Sequence, residues 1–187
     1  MSKLVLVTGG ARSGKSSFAE RYVLASAKKV DYIATAEILD DEMAERVRLH
    51  QMRRANGRWV NHEGYYDARD LFATLGAETE AVLFDCLTLY VTNYLYGKKA
   101  IRGSFEERSG YVLNEISGLV KAARKSGKIV VFVTNEVGAG IVPENVMARE
   151  FRDVSGWANQ LVAEAADEVY LCTCGYAVDV KKLGVKI

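Results

Sequence analysis

Near its start the chain passes from an apolar run, KLVLVTG (3–9), through GGARSGKS into a charged stretch with helical spacing. Gly9, Gly14, Lys15 and Ser16 hold the fixed places of G-x-x-x-x-G-K-S. No other feature restricts the fold as tightly. A strand must end, turn sharply and open a helix, with successive N–H groups converging on one hollow. The positive end of the helix adds to that field. The stretch Gly9, Gly10, Ala11, Arg12, Ser13, Gly14, Lys15 and Ser16 is therefore the expected nucleotide-phosphate cradle. Lys15 would reach the β- and γ-phosphates, and Ser16 would ligate Mg²⁺.

The remaining pattern suits that start. Strands are expected at 30–35, 81–86, 128–136 and 168–175, with a last one at 177–182 in a hairpin with its predecessor. Helices are expected between them: one carrying His50 and capped by Asp40, a short one at 67–75, then 87–97, 111–125 stopped at Gly127, and 145–167. Residues 55–64 read as a loop or edge segment, and 98–110 as the most loop-like part. Several strands are apolar throughout, as in a mostly parallel sheet covered by helices on both faces.

The 187 residues fit one domain spanning the chain. There are 25 Lys plus Arg against 24 Asp plus Glu. No basic excess points to nucleic acid or an anionic membrane as partner. The apolar run after Met1 is too short for a secretion signal, and no run approaches a membrane span. Three cysteines, Cys86, Cys172 and Cys174, fit a reduced compartment and strand packing better than a disulfide scaffold. A cytoplasmic location is expected.

Asp85 ends the strand at 81–86, where strands of open α/β sheets face their ligand. It is the candidate for a second magnesium contact, direct or through water, or else a cap of the next helix. At the end of the strand at 128–136, Asn135 would donate to phosphate or ligand. Glu136 would order Mg²⁺ or help deprotonate an acceptor hydroxyl; turn formation is the other reading of this pair. Arg149 and Arg152 share a helix face and would serve phosphate, or form a solvated or subunit-contact face. Trp59, Tyr65, Tyr66 and Tyr94 would stack on a ligand or pack the core.

His50 shares a helix face with Met43, Val47 and Arg54. A neighbouring cation favours the neutral imidazole, which can attack phosphorus. Spacing alone favours a half-buried helix histidine. His62 has no evident partner in the sequence and reads as structural or exposed.

Taken together, LVTGGARSGKS, YIATAEILDDEMAERVRLH, DCLTLYVTN, VFVTNEVGAGIVPEN and REFRDVSGWANQLVAEAADEVYL resemble the bifunctional adenosylcobinamide kinase/adenosylcobinamide-phosphate guanylyltransferase family over nearly the whole chain. The resemblance implies a single-domain α/β P-loop NTPase fold of RecA-like type, and a homotrimer. It implies ATP or GTP as phosphoryl donor to adenosylcobinamide. GMP transfer from GTP to adenosylcobinamide phosphate follows, through a guanylylated histidine that falls on His50. Departures are local: Ala55 follows Arg54 where a proline is usual, Trp157 stands where arginine is common, and the tail from Cys172 is less apolar. A monofunctional small-metabolite kinase and a RecA-like ATPase module are the alternatives.

Overall fold

A computed structural model describes residues 2–37, 45, 48 and 57–186. The expected Asp40 cap and His50 lie outside the described residues.

Seven strands form one sheet: β1 Lys3–Gly9, β2 Val30–Ala34, β3 Trp59–Glu63, β4 Ala81–Asp85, β5 Ile129–Val133, β6 Glu168–Thr173 and β7 Tyr176–Asp179. Their order is β3-β2-β4-β5-β1-β6-β7. All pairings are parallel except the β6–β7 hairpin. The described helices are α1 Lys15–Ser26, α2 Ala68–Thr74, α3 Leu87–Tyr96, α4 Phe105–Lys125, α5 Val146–Ala165 and α6 Val180–Leu183.

Alternation along the central strands makes two cores. Leu4, Leu6, Phe84, Val130 and Phe132 turn to one face and pack with α2, α3, α4 and α5. Val5, Val7, Leu83, Val131 and Val133 turn to the other and pack with α1. Both sets are fully or almost fully buried, so these strands carry no polar face. Phe132 sits tilted against Phe84 at 5.4 Å between ring centroids. Deleting such a ring costs about 3–5 kcal/mol.

Of the two readings of 55–64, a loop or an edge segment, the edge reading holds for Trp59–Glu63, which form β3 parallel to β2 at the sheet edge. Two expectations need adjusting. Helix α4 begins at Phe105, six residues earlier than expected, because Ser104 and Glu107 form a reciprocal cap. Glu107 N donates to Ser104 Oγ at 3.2 Å, and Ser104 N donates to Glu107 Oε2 at 2.8 Å. The final strand ends at Asp179, whose side chain accepts from Lys182 N and starts the short α6.

Candidate active site

The register aligns the strand exits. Val7 lies beside Val133, Val133 beside Asp85, and Asp85 beside Ala34. Whatever follows those residues emerges on one edge: the phosphate-type loop after β1, Thr134–Glu136 after β5, Asp85 on β4 and Thr35–Glu37 after β2.

The loop after β1 makes a turn in which Ser13 N donates to the Gly10 carbonyl at 3.3 Å. Gly14 takes a left-handed φ of 95° and serves as the N-cap of α1. Its carbonyl accepts the first helical bond, from Phe18 N at 2.9 Å. No side chain caps the helix, so the N–H groups of its first turn stay available to a ligand. A Cβ on Gly9 would run into the Cys172 carbonyl oxygen, so a side chain there would displace the loop. Lys15 Nζ donates to the Gly10 carbonyl at 3.1 Å. A cavity of about 300 Å³ is lined by Arg12, Ser13, Gly14, Lys15, Ser16 and Ser17.

Asp85 belongs to the same neighbourhood. The Cys86 thiol is pushed up to about 11, chiefly by burial and then by the Asp85 charge, while Lys15 pulls it down. The register puts both at the same sheet edge, Asp85 beside Val133 and Val133 beside Val7, which leads into the loop. Tyr32 donates its hydroxyl hydrogen to Asp85 Oδ2 at 3.1 Å. Thr35 ties the two strand exits together: its N–H donates to the Asp85 carbonyl at 3.1 Å and its hydroxyl to the Cys86 carbonyl at 2.7 Å. The same Oγ1 accepts from Cys86 N at 2.6 Å. Asn93 in α3 donates to the carbonyls of Thr35 and Tyr65 at 2.8 and 2.9 Å.

A second polar ring fixes the β5 exit. Thr88 Oγ1 accepts from Asn135 N at 2.8 Å and from Asn135 Nδ2 at 3.2 Å. Thr134 donates to Asn159 Oδ1 at 2.7 Å, and Asn159 Nδ2 returns to the Asn135 carbonyl at 3.3 Å. The Asn135 amide is therefore turned toward Thr88. Glu136 N donates to the Gly9 carbonyl at 3.2 Å, which joins this exit to the phosphate-type loop. The Glu136 carboxylate is exposed at the edge and accepts from Gly138 N at 2.6 Å.

Ser16 and Asp85 offer a hydroxyl and a carboxylate, the hard oxygen donors that suit Mg²⁺. Among the described residues, no three His, Cys, Asp or Glu side chains cluster as a metal cage. A nucleotide-bound Mg²⁺ takes most of its ligands from phosphate and water, so one or two protein oxygens fit that use.

Other sequence candidates lie elsewhere. Arg149 donates to the carbonyls of Pro143 and Glu144 at 2.9 and 2.6 Å, holding the loop before α5. Arg152 pairs with Asp153 at 3.6 Å. His62 does have a partner: Nε2 lies 2.8 Å from Oδ2 of the buried Asp31. Thr79 donates to the other oxygen of Asp31 at 2.9 Å. Tyr94 is buried, edge-on to Tyr66 and Tyr90, and Trp59 is edge-on to Tyr32. Tyr32, Thr35, Thr88, Asn93 and Asn159 escaped the sequence reading. Apart from Thr35, which follows β2, each is an ordinary strand or helix residue, and their partners lie 24 to 58 positions away. Only the positions of Thr35 and Thr88, just beyond strand ends, offered a hint.

Residues 5–180 match the family model for cobinamide kinase / cobinamide phosphate guanyltransferase. The chain belongs to this family. Among relatives, it is 44% identical over 185 residues to the bifunctional adenosylcobalamin biosynthesis protein CobU of Salmonella typhimurium, covering 95% of this chain and 99% of the relative. Identity to the CobU protein of Escherichia coli is 42% over 182 residues, with the same coverage. The CobP protein of Pseudomonas aeruginosa is 37% identical over 180 residues, 94% of this chain and 96% of its own. A solved KaiC-like protein from Pyrococcus horikoshii superposes with a TM-score of 0.53 at 13% identity, over 90% of this chain and 70% of the other. That likeness concerns the fold alone. It supports a general P-loop, RecA-like α/β architecture for this cobinamide kinase family member.

Proposed function

We propose that this chain, as one catalytic domain over residues 1–187, phosphorylates the aminopropanol hydroxyl of adenosylcobinamide and then transfers GMP from GTP to the resulting phosphate. Adenosylcobinamide-GDP and pyrophosphate are the products. The observation that carries this reading is the family match across residues 5–180, together with an open helix N-terminus beside Lys15 and Asp85 at one sheet edge.

In the kinase step the main-chain N–H groups from Gly9 to Ser16 grip the phosphates of ATP or GTP, and Lys15 offsets charge on the β- and γ-oxygens. Ser16 and Asp85 are the residues that would hold Mg²⁺, which would neutralise part of the developing phosphate charge. Glu136, exposed at the same sheet edge, draws the proton from the attacking hydroxyl. Asn135, turned on Thr88, keeps that exit in place. The hydroxyl oxygen forms a bond to the γ-phosphorus as the β–γ bridging bond breaks.

In the second step the imidazole of His50 attacks the α-phosphorus of GTP. A P–N bond forms, the α–β bridging P–O bond breaks and pyrophosphate leaves. An oxygen of adenosylcobinamide phosphate then attacks the same phosphorus, and the P–N bond breaks to return the imidazole. Neutral imidazole has a lone pair near pH 7, so it needs no prior deprotonation.

The reading includes a homotrimer in the cytoplasm, with no nucleic-acid partner and no membrane insertion. Among the described residues no helix is long and apolar enough to cross a membrane. The test is product analysis after mixing the protein with adenosylcobinamide, GTP and Mg²⁺. Adenosylcobinamide phosphate, its GDP derivative and pyrophosphate are expected. Transfer of the γ-phosphoryl group alone would reduce the enzyme to a monofunctional kinase.

A further inference from the structure

The CTCG segment at 172–175 lies outside the chemistry just described, yet it touches the phosphate loop at three points. First, β6 pairs with β1 as far as Gly9 opposite Cys172, and the Cys172 carbonyl fills the space a Cβ on Gly9 would need. Second, Gly175 N donates to the carbonyl of the buried Ser13 at 3.0 Å. Third, a Cβ on Gly14 would lie 3.3 Å from Gly175 Cα, tighter than ordinary packing. The loop is thus held on one flank by Glu136 N on the Gly9 carbonyl, and on the other by the β6–β7 turn.

The turn is built to present that N–H. Thr173 pairs with Tyr176, leaving a two-residue connection. Its residues Cys174 and Gly175 have φ of 49° and 83°. Positive φ at both positions is the type I′ hairpin geometry, whose twist matches that of the strands. Space around Gly175 is open, so its demand is one of backbone conformation. Ser13 would otherwise keep its carbonyl beneath the loop without this partner, and the hollow would lose one fixed wall.

We propose that Gly175 is a positioning residue for nucleotide binding: through its N–H on the Ser13 carbonyl, the β6–β7 turn sets the phosphate loop in its receiving shape. This rests on reading Gly9–Ser16 as the phosphate site. A β-branched residue at 175 resists positive φ, pulls the turn out of shape and removes the brace. Asparagine tolerates positive φ and keeps the N–H.

The test titrates full-length protein with Mg·ATP and, separately, with inorganic tripolyphosphate, which probes the cradle without the base. Gly175→Val should bind both about tenfold more weakly, because left-handed backbone is unfavourable for such a residue. Gly175→Asn should bind within about twofold of the unsubstituted protein, since asparagine visits that region readily. Equal binding by Gly175→Val with an unchanged melting curve would overturn the proposal. Should that variant fail to fold, amide hydrogen exchange on the unsubstituted protein decides. Mg·ATP should slow exchange at Gly175 together with the loop amides, and slowing at the loop with none at Gly175 would overturn the brace. Failure of the unsubstituted protein to bind either ligand is a different result, and would refute the phosphate-site reading itself.

Discussion

The Tyr32 hydroxyl donates to Asp85 Oδ2 at 3.1 Å, across two neighbouring strands and from a buried side chain. Tyr32 is braced in turn by Trp59, edge-on at 6.4 Å. A carboxylate proposed to serve Mg²⁺ is therefore oriented by a buried phenol. Tyr32→Phe keeps the packing and removes the bond. Partners that orient metal ligands typically contribute about 10- to 100-fold to metal affinity or activity. The Mg²⁺ concentration needed for half-maximal kinase activity should rise by that order, with little change in melting temperature. Unchanged Mg²⁺ dependence would separate Asp85 from the metal.

Lys15 stands where both proposed reactions meet phosphate. Lys15→Ala should lower phosphoryl transfer and GMP transfer alike, each by about 100-fold or more, since it removes preorganised charge from the transition state. Parallel assays with adenosylcobinamide and with its phosphate check this. Loss of only one activity would place the second nucleotide elsewhere.

Acid should loosen the fold at the start of β1 and β6. The Arg124 guanidinium, at 2.7 and 3.2 Å from the two Asp167 oxygens, holds that carboxyl below the usual aspartate range; partial burial opposes it and the Leu4 N–H assists. A depressed folded value means that stability is present above the unfolded aspartate value and is lost as pH falls through the folded one. Denaturant midpoints measured down that range should fall more steeply for the unsubstituted protein than for Asp167→Asn. Equal slopes would remove Asp167 from the acid response.

The three thiols should separate by accessibility. Cys86 and Cys172 are buried and their thiols are pushed up, Cys86 to about 11, whereas Cys174 is exposed in the β6–β7 turn. Since thiolate is the reactive form, a thiol reagent near neutral pH should label Cys174 first, and the other two only on unfolding. Mass spectrometry of the labelled peptides reads the order.

Much of this architecture was legible because it is local. The phosphate loop announces itself in eight consecutive residues, and the apolar strands betray a sheet buried on both faces. Helix α4 is easily read short because Ser109 and Gly110 interrupt the helical pattern of its first turns, although Ser104 and Glu107 already spell its cap. The edge strand β3 is ambiguous because three of its five residues, Val60, Asn61 and Glu63, are exposed, and apolar and polar residues do not alternate cleanly along it. The site's supporting bonds were not legible at all. Tyr32 to Asp85 spans 53 positions and Asn135 to Thr88 spans 47, and nothing in either local pattern encodes the pairing. The partnership of His62 with Asp31 was missed for the same reason: they meet only once β3 is laid beside β2.

The account turns on position 50. Incubating the protein with GTP labelled in the α-phosphate and Mg²⁺, without corrinoid, and mapping the product by mass spectrometry, tests it most directly. An acid-labile GMP adduct on His50, discharged by added adenosylcobinamide phosphate and missing from a His50→Ala protein that retains kinase activity, is the predicted result. Full guanylyl transfer by the His50→Ala protein, or an adduct on any other residue, would contradict it.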